Sequence, residues 1–104
     1  MFTIRQNGGK LVVRGCTPHY RRPLLEIVEF RRQMAKSLRE QGIPLPITKR
    51  IGVTLIATKH AHGGDLPNLM QGLVQALDGG TLGKEDAILE DDRQIVQLHA
   101  QWAD

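Results

Sequence analysis

Ile51-Gly52-Val53-Thr54-Leu55-Ile56-Ala57 is the stretch on which the fold turns. Ile51, Val53 and Leu55 alternate with Gly52, Thr54 and Ile56, which predicts a central strand. After it, Lys59 to Gly64 (KHAHGG) reads as a polar loop. Asp65 is placed to cap the free N–H groups of a helix whose apolar stripe is Leu66, Leu69, Met70, Leu73, Val74 and Leu77. Asp78-Gly79-Gly80 ends that helix, and Thr81 to Glu90 reads as irregular. Asp91-Asp92 stands before a last strand with Val96, Leu98, Ala100 and Trp102 on one face and Gln97, His99 and Gln101 on the other. Trp102 is expected to close the core or a dimer seam.

Upstream of the central strand, Ile43-Pro44-Leu45-Pro46 is a stiff connector, and Gly42 stops an earlier helix. That helix opens at Pro23, whose missing N–H costs nothing in a first turn. Leu24, Ile27, Val28, Met34, Ala35 and Leu38 form its expected apolar side. Earlier still, Phe2 and Ile4 alternate with polar residues, Asn7-Gly8-Gly9 suits a tight turn, and Lys10 to Arg14 resumes the pattern, so the chain opens with a β-hairpin. The order β-β-α-β-α-β predicts an α+β fold, a small mixed sheet with two helices packed on it. A chain of 104 residues makes this a single domain, 1–104.

Composition narrows the class. A 40% hydrophobic content suits a globular protein and excludes a disordered one. No apolar run nears the roughly 20 residues needed to span a bilayer, so no membrane partner is expected. Met1-Phe2-Thr3-Ile4-Arg5 lacks the pattern of a signal peptide. Cys16 is the single cysteine, which rules out an internal disulfide and a multi-cysteine zinc site, and a reducing cytoplasm is the expected setting. Charge is divided along the chain. Up to Gly64, twelve Lys and Arg face three Glu, a net of +9; from Asp65 on, two cations face eight acids, a net of −6. The division points to a basic face for a polyanion and a separate acidic centre.

The acidic candidates are Asp65 at a helix start and Asp91-Asp92 at a strand start. Carboxylates from two such positions suit a hard cation such as Mg²⁺, provided both lie at one end of the sheet. An ion there would activate water and offset charge on a phosphate. The plain alternatives are a helix cap for Asp65 and a turn for Asp91-Asp92. On the basic side, His19-Tyr20-Arg21-Arg22 joins one aromatic to cations, a set suited to stacking and phosphate binding. Arg32, Lys36 and Arg39 follow in successive turns and, with Arg31, either track a phosphate backbone or form a solvated helix face. The candidate nucleic-acid contacts are Arg14, Tyr20, Arg21, Arg22, Arg32, Lys36 and Lys59. His60 and His62 have a spacing compatible with a transition-metal site, though exposed loop histidines are the simpler reading.

Two segments carry a family resemblance. Gly64-Asp65-Leu66-Pro67-Asn68-Leu69 with its helix to Ala76-Leu77, followed by Leu89-Glu90-Asp91-Asp92-Arg93-Gln94-Ile95, resembles the central signature of the RusA-like Holliday junction resolvases. The resemblance covers roughly Ile51 to Trp102, about half the chain. It implies a homodimer that grips a four-way DNA junction and nicks two strands symmetrically, in a family often encoded by prophages. It also implies that Asp65 and Asp92 are catalytic, and that they and Asp91 bind Mg²⁺ or Mn²⁺. Two positions depart from the family pattern: Pro67 stands where a second aspartate is expected and Gln71 where a lysine is. Loss of one such cation costs about 10²–10³ in rate. Three readings follow: a weakened endonuclease, an inactive homodimer that binds branched DNA, and an interaction protein that reuses the fold.

Overall fold

The computed structural model describes residues 1–58 and 64–103. Its elements are β1 (Phe2–Asn7), β2 (Lys10–Gly15), α1 (Leu24–Glu40), β3 (Ile51–Ala57), α2 (Leu66–Leu77), α3 (Gly79–Leu82), a 3-10 turn (Asp92–Gln94) and β4 (Ile95–Trp102). The chain is α+β, with the expected order of strands and main helices. Two short pieces were not expected: α3, in a stretch read as the helix end and an irregular loop, and the 3-10 turn at the supposed strand start.

The sheet runs β1-β2-β3-β4. β1 and β2 are antiparallel, closing at the Asn7–Lys10 pair through Gly8, whose φ of +60° is the backbone such a turn requires. β2, β3 and β4 are mutually parallel. Parallel neighbours need crossover connections, and here α1 and α2 supply them. Two crossovers stepping the same way across a sheet put both helices on the same face. Ile4, Leu11, Val13, Val53 and Leu55 form that covered face and meet Ile27, Met34 and Leu38 of α1 and Leu69, Leu73 and Leu77 of α2.

α1 is turned slightly from its expected setting. Phe30 meets Phe2 edge-on, with ring centroids 4.7 Å apart, and the buried side becomes Ile27, Phe30, Arg31, Met34, Ala35 and Leu38. Leu24 and Val28, expected inside, are 57% and 42% exposed. Trp102, on the last strand of the sheet, is 38% exposed and does not close the core. Behind α2, Gly79 N–H donates to Leu89 O and Leu89 N–H to Leu77 O. Ile47 N–H donates to Ile88 O, which ties the residues after α3 to the connector before β3.

Candidate functional site

The proposed acidic centre requires Asp65 and Asp92 to meet, and the topology forbids it. The chain leaves β3 at Ala57, returns through α2, and enters β4 at Ile95; β3 and β4 are parallel, with Ile51 beside Ile95 and Ala57 beside Trp102. A helix start after β3 and a strand start before β4 therefore lie at opposite ends of the sheet. The twelve residues of α2 span about 18 Å between them. Asp65 acts as the helix cap: its Oδ1 accepts from Asn68 N–H at 2.9 Å. This corrects the expectation of a shared site.

Asp92 instead has Asp78 and Asp91 as its acidic company. Asp78, at the C-terminal end of α2, is 4% exposed. Its Oδ1 accepts from Gly80 N–H at 2.8 Å and its Oδ2 from the Thr81 hydroxyl at 2.6 Å. Asp91 caps the 3-10 turn, with Oδ1 accepting from Arg93 N–H at 2.7 Å and from Arg93 Nε at 3.0 Å, while Gln94 Oε1 accepts from Asp91 N–H. These bonds hold the Asp91 carboxyl down to about 2. The negative charge of Asp78 acts first, and burial and Asp91 next, to push the Asp92 carboxyl up.

These two shifts have opposite consequences for stability. Asp91 contributes stability that is complete above its unfolded value near 3.8 and is lost as pH falls toward about 2. Asp92 is strained by its neighbours when ionised, so Asp92→Asn is expected to raise Tm at pH 7 without added metal. Repeating the melt at falling pH checks the cause, because the gain should shrink as Asp92 itself takes up a proton.

The Mg²⁺ set that the resemblance implies, Asp65 with Asp91 and Asp92, is not assembled in this arrangement. Both Asp78 oxygens already accept protein hydrogen bonds, Asp91 is held by Arg93, and Asp65 is a helix length away. Among the described residues no group of three His, Cys, Asp or Glu is placed to hold a metal ion. Pro67 is exposed in the first turn of α2. Gln71 lines a cleft of about 390 Å³ together with Tyr20, Asp78, Thr81 and Asp92. Lys59, His60 and His62 lie outside the described residues.

The basic candidates divide into spoken-for and available groups. Arg31 is buried and donates to main-chain carbonyls, so it tracks no phosphate. Arg22 pairs with Glu26, Arg32 with Glu29, and Arg39 with Asp86. Arg21 Nε donates to the Tyr20 hydroxyl at 2.8 Å, with its guanidinium 5.4 Å from the ring centre. Lys36 is exposed on α1. Most of the α1 face thus neutralises itself.

Further positive charge lies on the other side of the molecule. Strand register puts Thr3, Arg14, Ile56 and Gln101 in one row, Arg5, Val12, Thr54 and His99 in the next, and Asn7, Lys10, Gly52 and Gln97 in the third. All twelve share the sheet face opposite the helices. Arg5, Lys10, Arg14, Gln97, His99 and Gln101 are exposed. None of the four strands contains an Asp or Glu. Among the described residues, no carboxylate forms a salt bridge with Arg5, Lys10 or Arg14. Thr3, Arg5, Asn7, Val12, Arg14 and Ile56 border a shallow depression of about 350 Å³. Arg14 was the one expected contact on this face; Arg5 and Lys10 are additions, and alternation along the hairpin was the signal for both.

Compared with protein-family models, curated proteins and solved structures, the chain finds no match. Among the described residues, no helix is long and apolar enough to cross a membrane.

Proposed function

We propose that this protein binds branched DNA, as a homodimer of RusA-like type in the cytoplasm, and does not cut it. The observation that carries the binding is the sheet face on which Arg5, Lys10 and Arg14 stand with no acidic residue in any strand. A polyanion is the ligand such a face attracts, because each cation displaces a counterion from the phosphate backbone. Amides at Gln97 and Gln101 and hydroxyls at Thr3 and Thr54 add donors that suit phosphate and sugar oxygens. The choice of a junction over plain duplex rests on the resemblance of the Asp65 and Asp91-Asp92 segments. Absence of cutting is argued from the separation of Asp65 from Asp92, together with Pro67 and Gln71.

Titrating a synthetic four-way junction against the protein over a salt series tests this reading. Binding should weaken steeply with salt, and Arg5→Gln/Lys10→Gln/Arg14→Gln should flatten the slope of log affinity against log salt by roughly two to three per bound subunit, and so by roughly five for a homodimer with both subunits on the DNA. Arg32→Gln, whose partner is Glu29, should change it little. Incubation with Mg²⁺ or Mn²⁺ should leave the junction intact. Nicking that Asp92→Asn abolishes would reinstate the endonuclease, and no binding even at low salt would end the DNA reading.

A further inference from the structure

We infer that β4 is a seam between two copies of this chain, its free edge pairing antiparallel with the partner's β4 to extend the sheet from four strands to eight. β4 is the last strand in the sheet, so over Ile95–Trp102 one line of backbone N–H and C=O groups has no neighbouring strand among the described residues. Open edges are ordinarily guarded by lysine, by other charges or by proline. The sequence IVQLHAQW contains none of them. β1, the other edge, carries Arg5.

The side chains agree with the backbone. On the helix side of β4, Val96 is 60% exposed and Leu98 54%, beside the partly exposed Trp102. The open side holds Gln97, His99 and Gln101. An antiparallel alignment centred on His99 sets Leu98 opposite the partner's Ala100, Trp102 opposite the partner's Val96, and Gln97 opposite the partner's Gln101. Apolar residues then meet apolar ones and amides meet amides, and no charge faces another. A strand complementary to itself in this way fits a second copy about a two-fold axis. The other exposed apolar group, Leu24, Leu25 and Val28 at the start of α1, offers no open backbone edge.

The pairing has a consequence for the open face. A two-fold axis perpendicular to a continuous sheet leaves both helix layers on one side and both Arg5–Lys10–Arg14 groups on the other. The two β2 strands would be five strand spacings apart, about 24 Å. The seam rests on the homodimer proposed above, whereas only this consequence rests on the polyanion reading.

Sedimentation equilibrium of the full chain without DNA tests the seam, so its failure is distinct from failure of DNA binding. The chain and its Leu25→Lys variant should be dimers. Leu98→Lys, at an exposed position, and His99→Glu, which sets two carboxylates across the axis, should be monomers with unchanged circular dichroism. A chain monomeric at every concentration would overturn the inference. So would a dimer that survives both β4 variants, or one that dissociates with Leu25→Lys instead.

Discussion

Arg31→Ala is expected to destabilise the protein by about 3–5 kcal/mol, the largest loss from any single polar side chain in the fold. Arg31 stands in the buried stripe of α1 and is 2% exposed. Its Nε donates to Ala76 O at 2.7 Å, its Nη1 to Gly83 O at 2.7 Å and Glu85 O at 3.1 Å, and its Nη2 to Asp78 O. Helix ends leave carbonyls without intrahelical partners, and this one guanidinium serves those at the close of α2 and after α3. Removing it strands several acceptors, each costing about 1–3 kcal/mol if buried, with relaxation and entering water recovering part. In a domain this size that corresponds to a fall in Tm of roughly 15–30 °C. Arg31→Lys should recover less than half, since an ammonium cannot reproduce the planar fork. Arg31→Met separates packing from hydrogen bonding. Thermal melts in which Met matches the parent would show that the guanidinium is dispensable.

The same residue shows what the pattern of the chain already held. Ile27, Arg31, Met34 and Leu38 fall at helical spacing, so Arg31 sits in the apolar stripe by periodicity alone. A cation there must find acceptors, and its company of Arg32, Lys36 and Arg39 disguised that need. The separation of Asp65 from Asp92 was legible too. A strand, a helix and a strand in succession favour a parallel crossover, which sends helix start and strand start to opposite ends. Asp78, at the helix end, was by the same logic the neighbour of Asp92. Strand alternation also fixed which side of the sheet Arg5, Lys10 and Arg14 occupy.

Other features depend on contacts that no local pattern encodes. Leu24 and Val28 have the spacing of core residues, but their exposure depends on how Phe30 seats against Phe2. The pairing of Arg22 with Glu26 and Arg32 with Glu29 was open to prediction from i,i+4 and i,i+3 spacing, whereas Arg39 with Asp86 was not. The 3-10 turn hides in a segment whose Asp91-Asp92 suggested chemistry; its capping box with Gln94 gives Asp91 a structural task.

Gly72→Ala carries the second large expectation, and its sign is the reverse of the usual one. In an exposed helix interior, alanine for glycine is worth about 1 kcal/mol of added stability. Gly72 lies in the middle of α2, where the loop before α1 crosses it. A Cβ at this position would run into Pro18 O, and would lie 2.8 Å from His19 C and 2.9 Å from Tyr20 N. All three are backbone atoms, so no side-chain rotation relieves the clash. Nearby, Tyr20 N–H donates to Asn68 O at 3.3 Å, a bond that a displaced loop would lose. The variant is therefore expected to lose about 1–3 kcal/mol by overpacking, while Gln71→Ala, one residue earlier and exposed, should be neutral or slightly stabilising. Urea denaturation gives the sign. Limited trypsin digestion gives the location, because a lifted loop should be cut faster after Arg21 than in the parent chain. A gain in stability from Gly72→Ala would mean that the loop bearing Tyr20, Arg21 and Arg22 does not rest on α2.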